Sequence, residues 1–502
     1  MLRRRLTVAA GSLLVGTACA VLAVTPAGAQ TGPEIDAPTA GLSVNLLWVV
    51  IGAALVIFMQ AGFAMVETGF CRAKHAAHVV STNLMIFGLG FVAFFFVGFG
   101  FMFGGYSYPG YFGFDEAVGS SLIGSGEWVF LWKGGFALTG DAATPAVMGF
   151  FLYMVAFMDT TATIPTGSMA ERWKWSSFIW WGLFCGGLYY PLFGAWTWGG
   201  GWLSQLGNSL DLGFGYVDFA GSGIVHATGG AAALAGAKVL GPRIGKYGAD
   251  GKPRAILGHN LPMAALGTFI LLFGWFGFNA ASTFAATDVQ FAVAATNTGI
   301  AGAFGAVAAM VYVTKRTGKP DPSMMVNGML AGLVAITAPC AFVDPWAAAL
   351  IGVIAGLFVI EAVWFVERKL KIDDPVGAIA VHGGCGTLGA LFVGIFANGE
   401  YGAGWNLTDS AKTAETGVTG ILGGDFGLGF SQLIAQAIGI VVIWTIMLGL
   451  AYGFFKIQNK LTKGGIRSSA EDEMSGLDMA EMGVPAYGHS DVMGSMEVTI
   501  GH

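Results

Sequence analysis

Long apolar runs separated by short polar stretches fill almost the whole chain. Runs long enough to cross a bilayer fall at 44–66, 82–105, 144–167, 175–198, 220–241, 257–281, 291–313, 324–343, 346–366, 377–398 and 420–454. A hydrocarbon slab about 30 Å thick takes about 20 residues of helix, so the pattern predicts an all-α polytopic membrane protein with eleven transmembrane helices. The last run is longer than a span requires and is expected to tilt or to continue as helix past the membrane. Of the polar intervals, 106–143 is rich in Gly and aromatic residues and 399–419 in Gly, Thr and Asp. Both are expected to pack over one face rather than to form domains. Residues 456–502 turn polar, with the acidic run Glu471-Asp472-Glu473. The apolar Ile466, Met474, Leu477, Met479 and Tyr487 among them predict a tail that docks.

Two similar stretches interrupt the apolar pattern, Gly223-Ile224-Val225-His226-Ala227-Thr228-Gly229-Gly230 and Ala380-Val381-His382-Gly383-Gly384-Cys385-Gly386. Each histidine is followed by small residues that allow another helix to approach closely, and each has an aspartate, Asp218 or Asp374, eight residues before it. Eight residues of helix rise about 12 Å, which predicts an aspartate near the membrane surface and a histidine near mid-bilayer. Ionisable side chains at that depth are costly in lipid and belong in the bundle interior. The two imidazoles are therefore expected to meet in a narrow channel.

Charge placement adds an orientation. Excluding Arg3, Arg4 and Arg5, nineteen lysines and arginines fall in the loops after runs one, three, five, seven and nine and in the tail, against Lys133 and Lys412 alone in the opposite loops. Basic loops stay in the cytoplasm, which places the N-terminus outside, the C-terminus inside and the protein in the cell inner (plasma) membrane. Runs one to five and six to ten then become inverted copies, with His226 entering from one side and His382 from the other. The basic start, the apolar stretch to about Val24 and Ala27-Gly28-Ala29 predict a signal peptide over 1–29; the alternative is a retained first helix. This divides the chain into the signal, a transmembrane domain over 30–455 and a C-terminal tail over 456–502. At 55% hydrophobic and 11% charged residues, a soluble protein of 502 residues is excluded. The five cysteines show no metal-ligand spacing and read as inert small residues.

Several apolar runs mix aromatic with small polar side chains. These include Phe157-Met158-Asp159-Thr160-Thr161, Trp196 and Trp198 before a triple glycine, and Trp275-Phe276-Gly277-Phe278-Asn279 followed by Ser282. Trp275, Phe278 and Ser282 share a helix face by their spacing. Aromatic faces with a hydroxyl acceptor suit a small cation, a contact worth about 2 kcal/mol when desolvated. Glu67, Asp159 and Glu361, in or close to the membrane, are expected to make helix-to-helix hydrogen bonds.

These stretches, with Gly62-Phe63-Ala64-Met65-Val66-Glu67-Thr68-Gly69, Arg72-Ala73-Lys74, Asp218-Phe219-Ala220-Gly221, Asp373-Asp374-Pro375 and Gly476-Leu477-Asp478, resemble the Amt/MEP/Rh ammonium transporter family on its Amt side, over about 43–488. The resemblance implies the ammonium transporter fold, with pseudo-twofold inverted halves and a homotrimer whose subunits each carry a pore. It also implies a recruitment site for ammonium at Trp198, Ser282 and Phe157, a gate at Phe157 and Phe278, pore histidines His226 and His382, and supporting roles for Asp218 and Trp275. Ammonium would give up its proton and cross as ammonia, with a proton relay through the histidines left open. A PII signal protein at the cytoplasmic face is the implied partner of the tail. Tyr153, where some members have Phe, and a long 199–217 loop are the departures. No cofactor, metal or nucleic acid is implied, and no enzyme activity. The alternatives are an ammonium sensor and a methylamine or gas channel of the same fold. A sensor is expected to append a signalling domain, and paired histidines are unnecessary for water. His75, His78, His259, His489 and His502 read as loop or tail residues without a role.

Overall fold

The computed structural model describes residues 37–106, 112–114 and 116–488, so the expected signal segment 1–29, His489 and His502 lie outside the described residues. Eleven long or apolar helices follow in chain order: α1 (Thr39–Phe70), α2 (Ala73–Phe103), α3 (Pro145–Met169), α4 (Trp175–Phe184 continued by Cys185–Tyr189 and Tyr190–Trp196), α5 (Ser222–Leu240), α6 (Leu261–Thr283), α7 (Gln290–Thr317), α8 (Pro322–Ile336), α9 (Pro345–Arg368), α10 (Ile379–Phe396) and α11 (Phe426–Leu461). Their starts are written in the sequence. Thr144, Asn260, Asp321 and Asp425 accept from backbone amides at the openings of α3, α6, α8 and α11, and Pro sits in the first turn of α3, α6 and α8.

Burial sorts the helices. The most apolar stretch of α3 is 89% buried and that of α5 83%, against 33% for α1 and α7. The former are the centre of the bundle, and the latter carry apolar side chains on its outside. Leu84, Phe269 and Val441 are exposed there too, as lipid-facing side chains are. Close crossings are made by glycines. A Cβ on Gly230 of α5 would lie 2.2 Å from the Gly383 amide nitrogen of α10, and such contact between backbones is how helices pack without a hydrophobic driving force.

Helices α5 and α10 begin in equivalent ways. Asp218 accepts from the amides of Gly221 (2.9 Å), Gly223 (2.8 Å) and Ile224 (2.8 Å). Asp374 accepts from Gly377 (3.0 Å) and Ile379 (2.7 Å). In both, the first turns are wide π-type turns, Ser222–Ala227 and Ile379–Gly384, that contain the histidine. The expected eight-residue helical rise is thus not what separates Asp from His. Gly221, at φ 117°, turns the chain so that the carboxylate caps the helix it precedes, and His226 follows within about one turn. The aspartates are correspondingly recessed, Asp218 being buried.

Other expectations shift at their edges. Helix α2 starts at Ala73 rather than 82 and α8 ends at Ile336 rather than 343, while α11 runs on to Leu461, as the length of its apolar run predicts. The interval 106–143 contains a hairpin, β1 (Gly119–Ser125) with β2 (Trp128–Gly134) antiparallel, a small addition to the helical fold. In β2, Val129 and Leu131 are buried and Trp128 and Phe130 exposed, the period-two pattern of a strand with one covered face. Cys71, Cys185, Cys340 and Cys385 are free and buried.

The tail folds back on the ends of α1–α3 and α5. Ile466 and Leu477 are fully buried, whereas Met474, Met479 and Tyr487 are exposed; docking is carried by polar groups instead. Glu473 pairs with Arg467 (2.7 Å) and accepts from the Ile244 amide (2.7 Å). Asp478 accepts from the His78 amide (2.9 Å), and Leu477 donates to His75 Nδ1 (3.3 Å). His259 Nε2 lies 2.7 Å from the Tyr487 hydroxyl. His75, His78 and His259 are therefore part of the tail's seat, which their position near loops concealed.

Candidate functional site

Four helices and one loop converge on a single line through the bundle centre. Helix α3 supplies Tyr153 and Phe157, one turn apart. Helix α6 loosens into a π-type turn, Phe276–Ala280, and a short 3-10 turn, Ala281–Thr283, which carry Phe278 and Ser282. The loop after α4 supplies Trp198, and the opening turns of α5 and α10 supply His226 and His382. Wide turns of this kind recur at functional sites because they re-aim side chains within a helix.

On the Trp198 side lies a vestibule of about 610 Å³ bordered by Tyr153, Trp198, Asp218, Phe219 and Ser282, among others. The Trp198 indole donates to the Asp218 carbonyl oxygen at 2.6 Å and meets the Phe157 ring edge-on at 5.5 Å. Ser282 donates to the Phe278 carbonyl (2.7 Å), and Tyr153 OH stands 3.1 Å from Ser282 Oγ and 3.0 Å from the Gly277 carbonyl. The serine oxygen therefore keeps acceptor capacity beside two aromatic rings. Below it Phe157 and Phe278 lie 4.2 Å apart, centroid to centroid, and close the vestibule.

Beneath Phe278 the His226 ring lies nearly parallel to it at 5.5 Å, and the Trp275 ring lies 5.2 Å from His226. Trp275 is held by donation from its indole to Thr337 Oγ1 at 2.9 Å. His226 Nδ1 and His382 Nδ1 are 3.1 Å apart, with both rings buried. One of these nitrogens must carry the hydrogen and the other accept it. Among the described residues His226 Nε2 has no partner. On the far side of His382, Phe63 lies 6.0 Å from the ring, and His382, Glu67 and Asn327 line a small cavity of about 20 Å³.

The sequence-derived residues thus fall together: Phe157, Trp198, Trp275, Phe278, Ser282, His226 and His382 form one column, and Asp218 supports it through backbone amides. Burial pushes the Asp218 carboxyl up to about 6 against the pull of those amides. Tyr153 was noted only as a departure, and its bracing of Ser282 was missed although it sits one turn before Phe157. Asn327 and Thr337, in or just after α8, gave no signal in an otherwise apolar run. Glu361 and Glu67 do bridge helices, to Tyr312 and to Asn83 and Thr166. Asp159 does not do so through Oδ1, which is buried without a partner; the nearby Thr163 hydroxyl donates to the Asp159 backbone carbonyl at 2.9 Å instead.

An aromatic-capped vestibule, a closed aromatic pair and two imidazoles in contact at the bundle centre, within a multi-pass helical bundle, define the class as a membrane transporter. The chain belongs to the Ammonium Transporter Family, whose model matches residues 47–487. It is 44% identical over 480 residues, 95% of either chain, to the ammonium transporter Amt2 of Archaeoglobus fulgidus. Among solved structures it is similar to a sensor Amt protein, at a TM-score of 0.74 and 36% identity over 88% of this chain and 99% of that one. It is also similar to Mep2 of Candida albicans, at 0.70 and 26% over 86% and 87%.

Proposed function

We propose that the protein moves ammonium across the plasma membrane by binding the cation in the vestibule, stripping its proton and passing ammonia along the histidine column. The observation that carries this reading is the 3.1 Å contact between His226 Nδ1 and His382 Nδ1 directly below the aromatic pair. A bare ammonium ion in that dry column would lose its hydration without an anionic partner, whereas neutral ammonia avoids most of that cost. In the vestibule the Trp198 and Phe157 rings and Ser282 Oγ offer cation–π attraction and a hydrogen-bond acceptor in place of water.

The histidines also move the proton. His226 Nε2 accepts it, the shared hydrogen passes from His226 Nδ1 to His382 Nδ1, and His382 releases the hydrogen on its own Nε2. Each ring has then gained one proton and lost one, so charge crosses while the species in the column stays neutral. Burial and mutual proximity keep the two rings from being protonated together.

In this reading Trp198 faces the outside, as does the N-terminus left after removal of a signal over 1–29, and the tail lies in the cytoplasm. Three copies assemble as a trimer with one pore each, and the docked tail is the seat on which a PII-type protein would act. Proteoliposomes challenged with ammonium test the mechanism, with membrane current and uptake recorded together. Alanine at both His226 and His382 is expected to abolish the current and leave flux of neutral ammonia; an unchanged current would refute the relay. The likeness to a sensor Amt protein favours a second reading, binding without appreciable transport. It predicts saturable ammonium binding with neither current nor uptake.

A further inference from the structure

The histidine relay ends at His382, and its proton needs an acceptor on the tail side. This inference rests on the reading above and extends it. Glu67 and His382 both line a small cavity of about 20 Å³, room for about one water or ammonia molecule. The cavity's other polar residue is Asn327, 94% buried, whose Oδ1 has no partner among the described residues. An unpaired acceptor on a residue that lines a one-molecule cavity suits a guest that donates hydrogen bonds, as water and ammonia do and an apolar gas does not.

Glu67 is arranged to hold a proton in one state and release it in another. Asn83 donates to Oε2 at 2.7 Å. Thr166 Oγ1 lies 2.8 Å from both carboxyl oxygens and 2.6 Å from the Thr163 carbonyl oxygen. A hydroxyl has a single hydrogen. With Glu67 ionised, Thr166 donates it to the carboxylate. With Glu67 protonated, the carboxyl donates to Thr166 Oγ1 and the threonine hydrogen turns to the Thr163 carbonyl. Both states are fully bonded, so changing between them requires rotation of one hydroxyl and no movement of heavy atoms. Asp374 is the other carboxyl that acts electrostatically on Glu67.

We infer that Glu67 is the terminal proton carrier of the pore, taking the hydrogen released by His382 and returning it to ammonia held against Asn327. In the first step the His382 Nε2–H bond breaks and a Glu67 O–H bond forms, leaving neutral imidazole and a carboxylic acid. In the second the O–H bond breaks and ammonia becomes ammonium, which leaves toward the tail side and restores the carboxylate. No other reactant is needed.

Full-length protein in proteoliposomes tests this with two readouts, ammonium-evoked current on a solid-supported membrane and ammonia flux from an internal pH dye. Glu67→Gln keeps the shape and the Asn83 contact but cannot carry a proton. It is expected to reduce current about a hundredfold while ammonia flux persists, and Glu67→Asp is expected to restore much of the current. Thr166→Val, which removes the hydroxyl switch, is expected to lower current without lowering flux and serves if the glutamine variant fails to assemble. Current near the parent level in either Glu67→Gln or Thr166→Val overturns the inference, as does an equal loss of current and flux, which would mark a purely structural carboxyl. If the double-histidine variant retains current, the relay on which the inference rests fails instead, and that result is separate from anything seen at Glu67.

Discussion

Replacing Gly230 by alanine isolates the histidine contact without touching either ring. The new Cβ would lie 2.2 Å from the Gly383 nitrogen and 2.3 Å from its Cα, where ordinary contact begins at 3.4 Å. Both neighbours are backbone, so no side chain can swing aside and α5 must move from α10 by roughly 1 Å. Gly230 lies one turn beyond His226, and Gly383 directly follows His382. A separation of that size carries the 3.1 Å Nδ1 to Nδ1 contact to about 4 Å, past the limit of a hydrogen bond. The overpacking costs about 1–3 kcal/mol and the lost hydrogen bond about 1 kcal/mol. Such a penalty lowers thermal stability without preventing assembly.

The expected result is a protein that inserts, melts a few degrees earlier, and has a much smaller ratio of current to ammonia flux. The passage is loosened rather than blocked, so flux of neutral ammonia continues. Gly299→Ala is the control, since its Cβ would meet nothing nearer than Phe276 at 3.9 Å. A Gly230→Ala protein with the parent's melting point and current-to-flux ratio would show that the crossing yields elsewhere and that the histidine spacing does not govern proton movement.

Tyr153→Phe removes the hydroxyl 3.1 Å from Ser282 Oγ and 3.0 Å from the Gly277 carbonyl. It is expected to raise the half-saturating ammonium concentration about fivefold, the equivalent of about 1 kcal/mol, as read from the concentration dependence of current. Asp373 is buried, which alone would raise its pKa, but Arg172 and Arg243 hold its carboxyl well below the usual carboxylate range. Its stabilising contribution is therefore present above the unfolded-state pKa near 4 and is lost as pH falls below it. Melting temperature should drop on acidification from about pH 5 to 3, and Asp373→Asn should show a lower starting value and a shallower drop. Deleting residues from 462 onward removes the Glu473 and Asp478 contacts. Insertion should be kept and uptake lowered, and full uptake would show that the docked tail has no influence.

What the sequence disclosed depended on how regular the underlying physics is. Apolar length gave the helices that span the bundle, nine of them among the described residues long and apolar enough to cross a bilayer, because a bilayer sets a minimum length for a span. The paired histidine motifs gave the buried His226–His382 contact at the centre of the candidate site, because an ionisable group in an apolar run has few permitted places. Irregular backbone was not legible. The π-type turns at Ser222–Ala227 and Ile379–Gly384 and the recessed caps of Asp218 and Asp374 leave the apolar pattern unbroken, so an unbroken helical rise was the natural and incorrect reading. The tail's seat was hidden for another reason. His75, His78 and His259 meet partners about 230 to 400 residues away, and nothing local marks such a contact.

The two halves match at the histidines but differ beyond them, and on the proposed mechanism that difference divides the work. On the Trp198 side the column opens to a vestibule with aromatic faces and a serine oxygen, groups that attract a cation but do not take its proton. On the tail side it meets a one-molecule cavity with Glu67 and Asn327, groups that can supply a proton and hold ammonia. A symmetric pair of imidazoles has no preferred sense of its own, because either Nδ1 can carry the shared hydrogen. On the proposed mechanism, the unlike ends make recruitment and reprotonation separate tasks. The ammonium gradient and the membrane potential set the net direction.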